Sequence, residues 1–277
     1  MSGSRIKTMV IAALLLINVI FLTVIIVDAV AGVRSERQAI ENACAVLRHS
    51  GIEINPDDVM TAVALRTMRT ARGDEAEAAI ARALLGPTVM TDQGIIYLYE
   101  NVERGIAEFF SVGDFKILLN EGVITNANGT LRTVQRLLRD MKLETAEPIL
   151  SGEPGNETVT VAGAYRGKSI FNCVIEFIFN GENLEIVKGR YVTNIEVAED
   201  GTEISSAGTT LLTFLAWVKR EDVECARIDS VEAGYQHRAV GSFGESVIAP
   251  AWLITADSGR YILDDATGEI WQLGASG

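Results

Sequence analysis

The sequence has few of the residues on which most catalytic and metal sites depend. Its 277 residues include only two histidines and three cysteines. His49 and His237 lack the HExxH spacing that would place two zinc ligands on one helical face, and no CxxC pair is present. G-x-S-x-G, G-x-G-x-x-G and Walker A sequences are absent as well, so neither a nucleophile elbow nor a phosphate-binding loop is indicated. We therefore expect a protein that is not an enzyme, with no catalytic residue, no metal and no cofactor.

Basic residues are scarce relative to acidic ones. The chain has 24 Lys and Arg against 37 Asp and Glu, a formal net charge of −13. This balance argues against nucleic acid as a partner, because binding to phosphates needs clustered Lys and Arg. It also argues against a peripheral protein held on anionic lipid by a basic patch. The mean hydropathy is nevertheless positive, +0.22. One strongly apolar segment must therefore raise it.

That segment lies near the N-terminus. Residues 8–27 contain no charge, and 20 helical residues span about 30 Å, the thickness of the bilayer hydrocarbon. Arg5 and Lys7 precede the run and Asp28 follows it, so the positive-inside bias places residues 1–7 in the cytoplasm and the main domain outside the cell. A cleaved signal peptide with Ala29-Val30-Ala31 as its site is the alternative, but its apolar region is usually only about 7–15 residues long. We expect a single-pass cell-membrane protein.

Asn18 lies in the middle of this apolar run. An amide at that depth has no water to bond, and it lowers its cost by pairing with another helix. Leu14, Leu22 and Ile25 would share its helical face. We therefore predict that these four residues contact the membrane helix of a partner. The alternative is that a sufficiently apolar span tolerates one Asn.

The three cysteines are widely separated and odd in number. Cys173 alternates with apolar residues along a predicted strand, and Cys44 lies on the apolar side of a predicted helix, so both should point into a core. Free thiols are the simplest interpretation. Outside the cytoplasm, one disulfide among Cys44, Cys173 and Cys225 with one cysteine left over is the alternative.

The hydrophobic pattern alternates between helical and strand periods along the remaining chain. It predicts an α+β fold in which helices pack on curled antiparallel sheets, with a PepSY- or cystatin-like helix-plus-strands unit repeated about three times. We place a first lobe at 34–127 and a second at 128–273. The predicted helices are 35–49, a stretch opening at 56, 74–85, 129–142 and 209–219; the predicted strands are 95–99, 107–119, 158–165, 169–179, 183–197, 226–240, 247–255 and 260–263.

The acidic segment 264–269 has two interpretations. Its clustered oxygen atoms could bind calcium, but it lacks the alternating ligand spacing of an EF-hand loop. Asp, Thr and Gly are the expected residues of a tight turn. We therefore expect a hairpin turn here.

The last hundred residues also carry a series of short motifs in a distinctive order. Gly234-Tyr235 is followed by Pro250-x-Trp252, then by Gly259-x-Tyr261, and finally by Thr267-Gly268-Glu269. This order resembles the YycI family, regulators of the Yyc (Wal) two-component system of Gram-positive bacteria, and the closing motifs look like the terminal hairpin of PepSY-type modules. The Asn-containing apolar run near the N-terminus is similar to the anchor of that family. The nine motif residues are expected to be structural.

The resemblance implies a function in signal transduction. It suggests a membrane-anchored, non-enzymatic regulator that binds a sensor histidine kinase, together with a sister single-pass regulator, and so controls genes of cell-wall metabolism. An extracytoplasmic ligand-binding or peptidase-inhibitor-like PepSY module unrelated to a kinase is the alternative.

Overall fold

The computed structural model describes residues 32, 34–61, 63–111, 113–197, 204–239 and 246–274. The predicted membrane span at 8–27 lies outside these residues. Within the described ranges, none of the helices combines the length and the apolar character needed to cross a bilayer.

The described chain forms four α-helices, one short 3-10 helix and fourteen strands. The helices are α1 (34–49), α2 (Asp74–Leu85), α3 (Thr130–Asp140) and α4 (Ala207–Arg220), and the 3-10 turn is Pro56–Asp58. The strands are β1 (Met68–Thr70), β2 (Val89–Asp92), β3 (Ile96–Asn101), β4 (Gly105–Phe110), β5 (Asp114–Leu119), β6 (Ile149–Glu153), β7 (Asn156–Tyr165), β8 (Lys168–Asn180), β9 (Asn183–Arg190), β10 (Glu196–Val197), β11 (Ile228–Ala239), β12 (Ser246–Ala256), β13 (Gly259–Asp264) and β14 (Ile270–Gln272).

All fourteen strands belong to one hydrogen-bonded sheet. Its main path runs β10-β1-β12-β11-β8-β9-β5-β4-β3-β2, while β7 and β6 branch from β8, and β13 and β14 branch from β12. Neighbouring strands are antiparallel except β8 and β11, which pair in parallel through Ile170 and Tyr235. The sheet is therefore mixed.

The predicted fold class is wrong. The strands do not form repeated antiparallel sheets that each carry their own helices; they join one large mixed sheet with few helices. Pairings between distant segments make the sheet continuous, because β9 bonds to β5 as well as to β8, and the three-residue β1 bonds to β12 and β10. The helix predicted from residue 56 is only one 3-10 turn, and the chain after it leads into β1. The division into lobes at 34–127 and 128–273 stays a prediction.

The helices cover two large hydrophobic clusters. One unites α1 and α4 with β11, β12 and β13 around the fully buried Trp252 and Phe214. The other unites α2 and α3 with β3, β4, β5, β7, β8 and β9 around Phe109 and Phe177. Helix α4 begins at Ser206, whose side chain accepts a hydrogen bond from the Thr209 amide, as expected of an N-cap. A third, small cluster lies around Phe171.

Two predicted turns are present. Asn180-Gly181 leads the chain from β8 into β9, with Asn180 paired to Asn183. Segment 264–269 is the turn between β13 and β14, where the Asp264 carboxylate accepts hydrogen bonds from the amides of Ala266 (2.8 Å) and Thr267 (2.9 Å). One Asp264 oxygen thus bonds the turn, and the other bonds Gln236 and Arg238. Since the segment connects the antiparallel pair β13 and β14, the hairpin interpretation is confirmed.

Candidate functional site

Strand β8 changes its partner in the middle of the sheet. Its second half pairs with β9 up to Ile175, whereas Ile170 pairs with β11. Between these points the register with β7 shifts, since Ala162 pairs with Val174 but Gly163 pairs with Ile170. Segment 171–173 is thus a bulge where the sheet splits, and we call this place the seam.

The side chain of Asn172 bridges the seam. Its Nδ2 donates to the His237 carbonyl at 2.8 Å, and its Oδ1 accepts from the His237 amide at 2.7 Å. This pair of bonds is the one that an opposing strand residue would make with its backbone. Asn172 therefore provides hydrogen-bond partners for the backbone of His237 on β11, at a point where the backbone of β8 no longer pairs with β11.

A groove of about 320 Å³ opens along the seam. We call it the seam groove; its lining consists of residues 142–145, 163–165 and 190–195 together with Cys173 and Ile175. Strands β7 and β8 supply Gly163, Cys173 and Ile175, and the segment that leaves β9 supplies 190–195. Gly163 has no side chain to occupy this space, and a Cβ there would meet the Cys173 carbonyl at 3.4 Å.

The charged groups nearest the groove are largely paired. Arg190 donates two hydrogen bonds of 2.8 Å to the two carboxylate oxygens of Asp114, and this bonding raises the pKa of Arg190 above its ordinary value despite partial burial. Glu144 accepts the Gly167 amide at 2.7 Å. Lys142 is exposed at the rim. The groove therefore presents a mixed polar and apolar lining without a strong charge of either sign.

The thiol and the imidazole at the seam are uncharged at neutral pH. Burial raises the pKa of Cys173 to about 12, so the thiol stays protonated. Burial, and then the positive charge of Arg190, lowers the pKa of His237 from 6.5 to about 4, so the imidazole stays neutral. Since the thiolate is the nucleophilic form of cysteine, this environment suits binding rather than thiol chemistry.

Segment 191–195 forms one wall of the groove and is fixed at several points. The Tyr191 amide donates to the Gly113 carbonyl at 3.1 Å, and the Thr70 hydroxyl bonds the Thr193 carbonyl. Asn194 has a positive φ of 51° and donates from its side chain to the Arg72 carbonyl at 3.3 Å. A cavity of about 20 Å³, enough for one water, lies on the other side between Tyr191, Thr193 and His237.

A buried ion pair supports this wall. Glu77 is fully buried and accepts two hydrogen bonds from Arg72, at 2.7 and 3.0 Å, while the Tyr191 hydroxyl donates to the same carboxylate at 3.0 Å. The Arg72 guanidinium also lies 3.5 Å from the ring centre of Tyr97. Burial, and next the Glu77 charge, raise the pKa of Tyr191, which therefore stays a hydrogen-bond donor.

The sequence-predicted site residues lie elsewhere. Asn18, Leu14, Leu22 and Ile25 are outside the described residues, so their contact with a partner helix stays a prediction. The nine motif residues lie on β11, β12, β13 and the turn before β14: Gly234, Tyr235, Pro250, Trp252, Gly259, Tyr261, Thr267, Gly268 and Glu269. Of these, Tyr235 packs against the groove residue Tyr165, at 6.4 Å between ring centres.

Pro250 and Gly234 show how these motif residues fit the sheet. β1 pairs with β12 through residue 248 and β13 pairs with it from residue 251, so Pro250 lies in the gap where its missing N–H is not needed on that edge. A Cβ on Gly234 would stand 2.5 Å from the Phe171 ring. Gly234 thus lets the bulged β8 lie close to β11.

Sequence reasoning missed Asn172, Glu77 and Arg190 as parts of a site. One sequence signal could have indicated the seam, because Phe171, Cys173, Ile175 and Phe177 alternate along β8 but the adjacent apolar residue Ile170 breaks this period. Such an interruption in a strand is typical of a bulge. The described residues hold no group of three or more His, Cys, Asp or Glu side chains arranged for a metal ion.

No family model and no curated protein matches the chain. The structure is similar to that of an uncharacterized protein from Eubacterium rectale, with a TM-score of 0.49 and 10% identity over 76% of this chain and 86% of that one. It is also similar to the C-terminal domain of Bacillus megaterium YpeB, a PepSY-type domain, with a TM-score of 0.36 and 10% identity over 74% of this chain and 99% of that domain. Both TM-scores lie below 0.5, so these similarities leave the PepSY-like and YycI resemblances as predictions from the sequence motifs.

Proposed function

We propose that the chain is a non-enzymatic, membrane-anchored regulator of a sensor histidine kinase in a two-component system for cell-wall metabolism. Its main domain acts outside the cytoplasm, next to a sister single-pass regulator, and binds a segment of the kinase in the seam groove. The uncharged run at 8–27 and the order of the C-terminal motifs support the location and the kinase as partner.

The seam groove is the observation that carries the binding part of the proposal. It offers about 320 Å³, and the wall formed by residues 190–195 is held by the Arg72–Glu77–Tyr191 contacts and by the Arg190–Asp114 pair. Among the described residues, the backbone amides of 192–195 donate no hydrogen bond. An extended segment of a partner can therefore bond to this wall, as strands added to a sheet do.

Regulation by such binding is a shift of populations. A kinase with two signalling states changes its output only if its partner binds one state more tightly. Differences of about 1–3 kcal/mol are typical of allosteric coupling and change the ratio of the states about 5- to 150-fold. A rigid groove can distinguish two positions of one kinase segment, because packed walls do not adapt continuously.

The test uses the full chain reconstituted with the kinase in vesicles, with autophosphorylation as the readout. T145R places a long cation in the groove, and we expect it to remove the effect of the chain on the kinase. Thr160→Arg lies on β7 outside the groove and is the matched control, so this variant should affect kinase autophosphorylation as the parent chain does. An unchanged kinase response with T145R at normal domain stability would contradict the proposal.

The alternative, a PepSY module that binds a ligand or a peptidase unrelated to a kinase, uses the same groove. Replacement of residues 8–27 by an unrelated membrane-spanning sequence separates the two. The kinase regulator should lose signalling when contacts within the membrane are replaced, whereas an independent binding module should keep its function.

A further inference from the structure

Helix α3 carries basic residues on the face opposite its buried side. Thr133, Val134, Leu137 and Leu138 are buried against the sheet. The helical period places Arg132, Arg136 and Arg139 on the outer side, and all three are exposed. Lys142 follows directly and is exposed too. We call these four residues the basic face; it extends over about 15 Å.

The basic face contrasts with the rest of the molecule. Segment 130–142 contains four basic residues and one acidic residue, Asp140, a net charge of +3. The other residues contain 20 basic and 36 acidic side chains, a net charge of −16. The charge of this chain is therefore strongly asymmetric, so the net value of −13, which argued against a basic patch, does not apply to this segment.

None of the four cations is neutralised within the described structure. The salt bridges formed there involve other basic residues, and no side-chain hydrogen bond of the basic face is present among the described residues. Asp140, although four residues from Arg136, forms no ion pair with it. Among the described residues, the basic face is thus an exposed group of four unpaired cations on an acidic chain.

A polar cavity next to the basic face adds a place for an anionic group. It measures about 450 Å³ and is lined by Arg136, Arg104, Asn128 and Thr125, with the Asp140 carboxylate at its rim. Arg104 donates to the Leu84 carbonyl at 3.3 Å, but its Nε is buried without a partner among the described residues. The cavity thus combines two guanidinium groups with neutral polar groups and the carboxylate of Asp140.

We propose that the basic face docks on a membrane surface that carries anionic headgroups. The proposal rests on the membrane attachment proposed above, since only six residues, 28–33, separate position 27 from α1, and this length keeps the start of α1 within about 25 Å of the bilayer. Repulsion of the other, net acidic residues by the same headgroups adds orientation, because the α3 segment carries a net positive charge. Docking would fix how the domain presents the seam groove to a neighbouring membrane protein.

The experiment measures how accessible α3 is on two kinds of membrane. The full chain with Gln135→Cys and Cys225→Ser is reconstituted into vesicles of phosphatidylcholine, with and without phosphatidylglycerol, and the rate of maleimide labelling at position 135 is followed. We expect labelling to be at least roughly threefold slower with phosphatidylglycerol, and high salt to abolish the difference.

Two variants with equal charge changes locate the effect. The first neutralises the basic face (R132Q, R136Q, R139Q and K142Q) and should label at the same rate in both vesicles. The second neutralises three arginines and one lysine that are exposed elsewhere (R66Q, R69Q, R260Q and K116Q) and should keep the difference. The proposal would be overturned if both variants lost the difference in labelling rate between the two kinds of vesicle. Equal labelling rates of the parent protein in both lipids would also overturn it. Thermal unfolding of each variant checks that it is folded.

Two further outcomes are decisive. If added polyglutamate slows labelling but phosphatidylglycerol does not, the basic face serves an acidic protein instead, and the lipid proposal is wrong. If the chain is extracted from vesicles by carbonate, the anchor part of the proposed function fails. Flotation of the added chain with phosphatidylglycerol vesicles, reversed by salt, then still tests the basic face on its own.

Discussion

Asn172 and His237 are joined by two hydrogen bonds, in which the Asn172 amide group pairs with both the carbonyl (2.8 Å) and the N–H (2.7 Å) of His237. The Asn172 side chain thus replaces the two backbone hydrogen bonds of a strand pair at the point where β8 separates from β11. His237 is buried, so without Asn172 its backbone groups would have neither a strand nor water as partner.

Asn172→Ala should destabilise the protein by about 2–3 kcal/mol, because it leaves a buried donor and a buried acceptor unsatisfied. Urea unfolding measures the change. Asn120→Ala removes a bond of 3.2 Å to Val102 in an exposed turn, and as the control it should cost about 0.5 kcal/mol or less. Equal effects of the two substitutions would contradict the role given to Asn172.

Glu77→Gln should destabilise the protein by about 3 kcal/mol. It leaves the largely buried Arg72 cation without its charge partner, and breaking one side of a buried ion pair is costly. The exposed pair Arg37–Asp57 is the control, since Asp57→Asn should cost less than about 1 kcal/mol.

The Glu77→Gln variant also tests the groove wall. Tyr191 donates to the same carboxylate, so the variant should show faster exchange of the Tyr191 amide, which donates to the Gly113 carbonyl, than Asp57→Asn does. A destabilised variant with unchanged exchange of the Tyr191 amide would show that the Arg72–Glu77 ion pair does not hold the groove wall in place.

The three thiols should differ in reactivity. Cys225 is partly exposed, whereas Cys44 and Cys173 are buried, and burial raises the pKa of Cys173 to about 12. At pH 8 we expect a thiol reagent to modify only Cys225 in the folded protein and all three cysteines after unfolding. Cys225→Ser should remove the reaction of the folded state. A disulfide, left open by the sequence, would instead leave one reactive thiol in the denatured, unreduced chain.

Stability should fall as the pH decreases from about 6.5 to about 4. The pKa of His237 is lowered to about 4 in the folded state, by burial and then by Arg190, while Asp114 opposes this change. The unfolded state therefore binds the proton first, and acid favours unfolding until the folded imidazole also titrates.

This loss of stability should be of order 3 kcal/mol and should be absent from His237→Gln. Unfolding by urea at several pH values measures it, and the difference between the two proteins isolates His237 from the carboxylates. Parallel pH profiles would show that His237 does not titrate in this range.

Local features of the fold followed from the sequence because their causes lie within a few residues. The period of buried residues predicted helices α2, α3 and α4, and the turn residues Asn180-Gly181 and Asp264–Glu269 predicted two hairpin connections. The basic face is equally local, since three arginines at helical spacing are present in the sequence. Its importance was hidden by the overall charge.

Tertiary structure alone decided how the strands combine. β1, β2 and β6 are short or exposed and have no strong alternation, so nothing local predicted them. Their pairing, and that of β5 with β9 and of β8 with β11, depends on contacts between segments far apart in sequence. Strand propensity is set largely by such neighbours, and for that reason one mixed sheet formed where the pattern predicted repeated antiparallel units.

The sequence by itself determined the charge asymmetry, the amphipathic helices and the tight turns, since each depends on the chemistry and spacing of neighbouring residues. Only the tertiary structure brought Glu77 to Tyr191 and Asn172 to His237, across 114 and 65 residues. These contacts fix segment 191–195 and the bulge of β8, which both line the seam groove. Their cost in chain entropy is met by many packed residues together, and no local pattern records it.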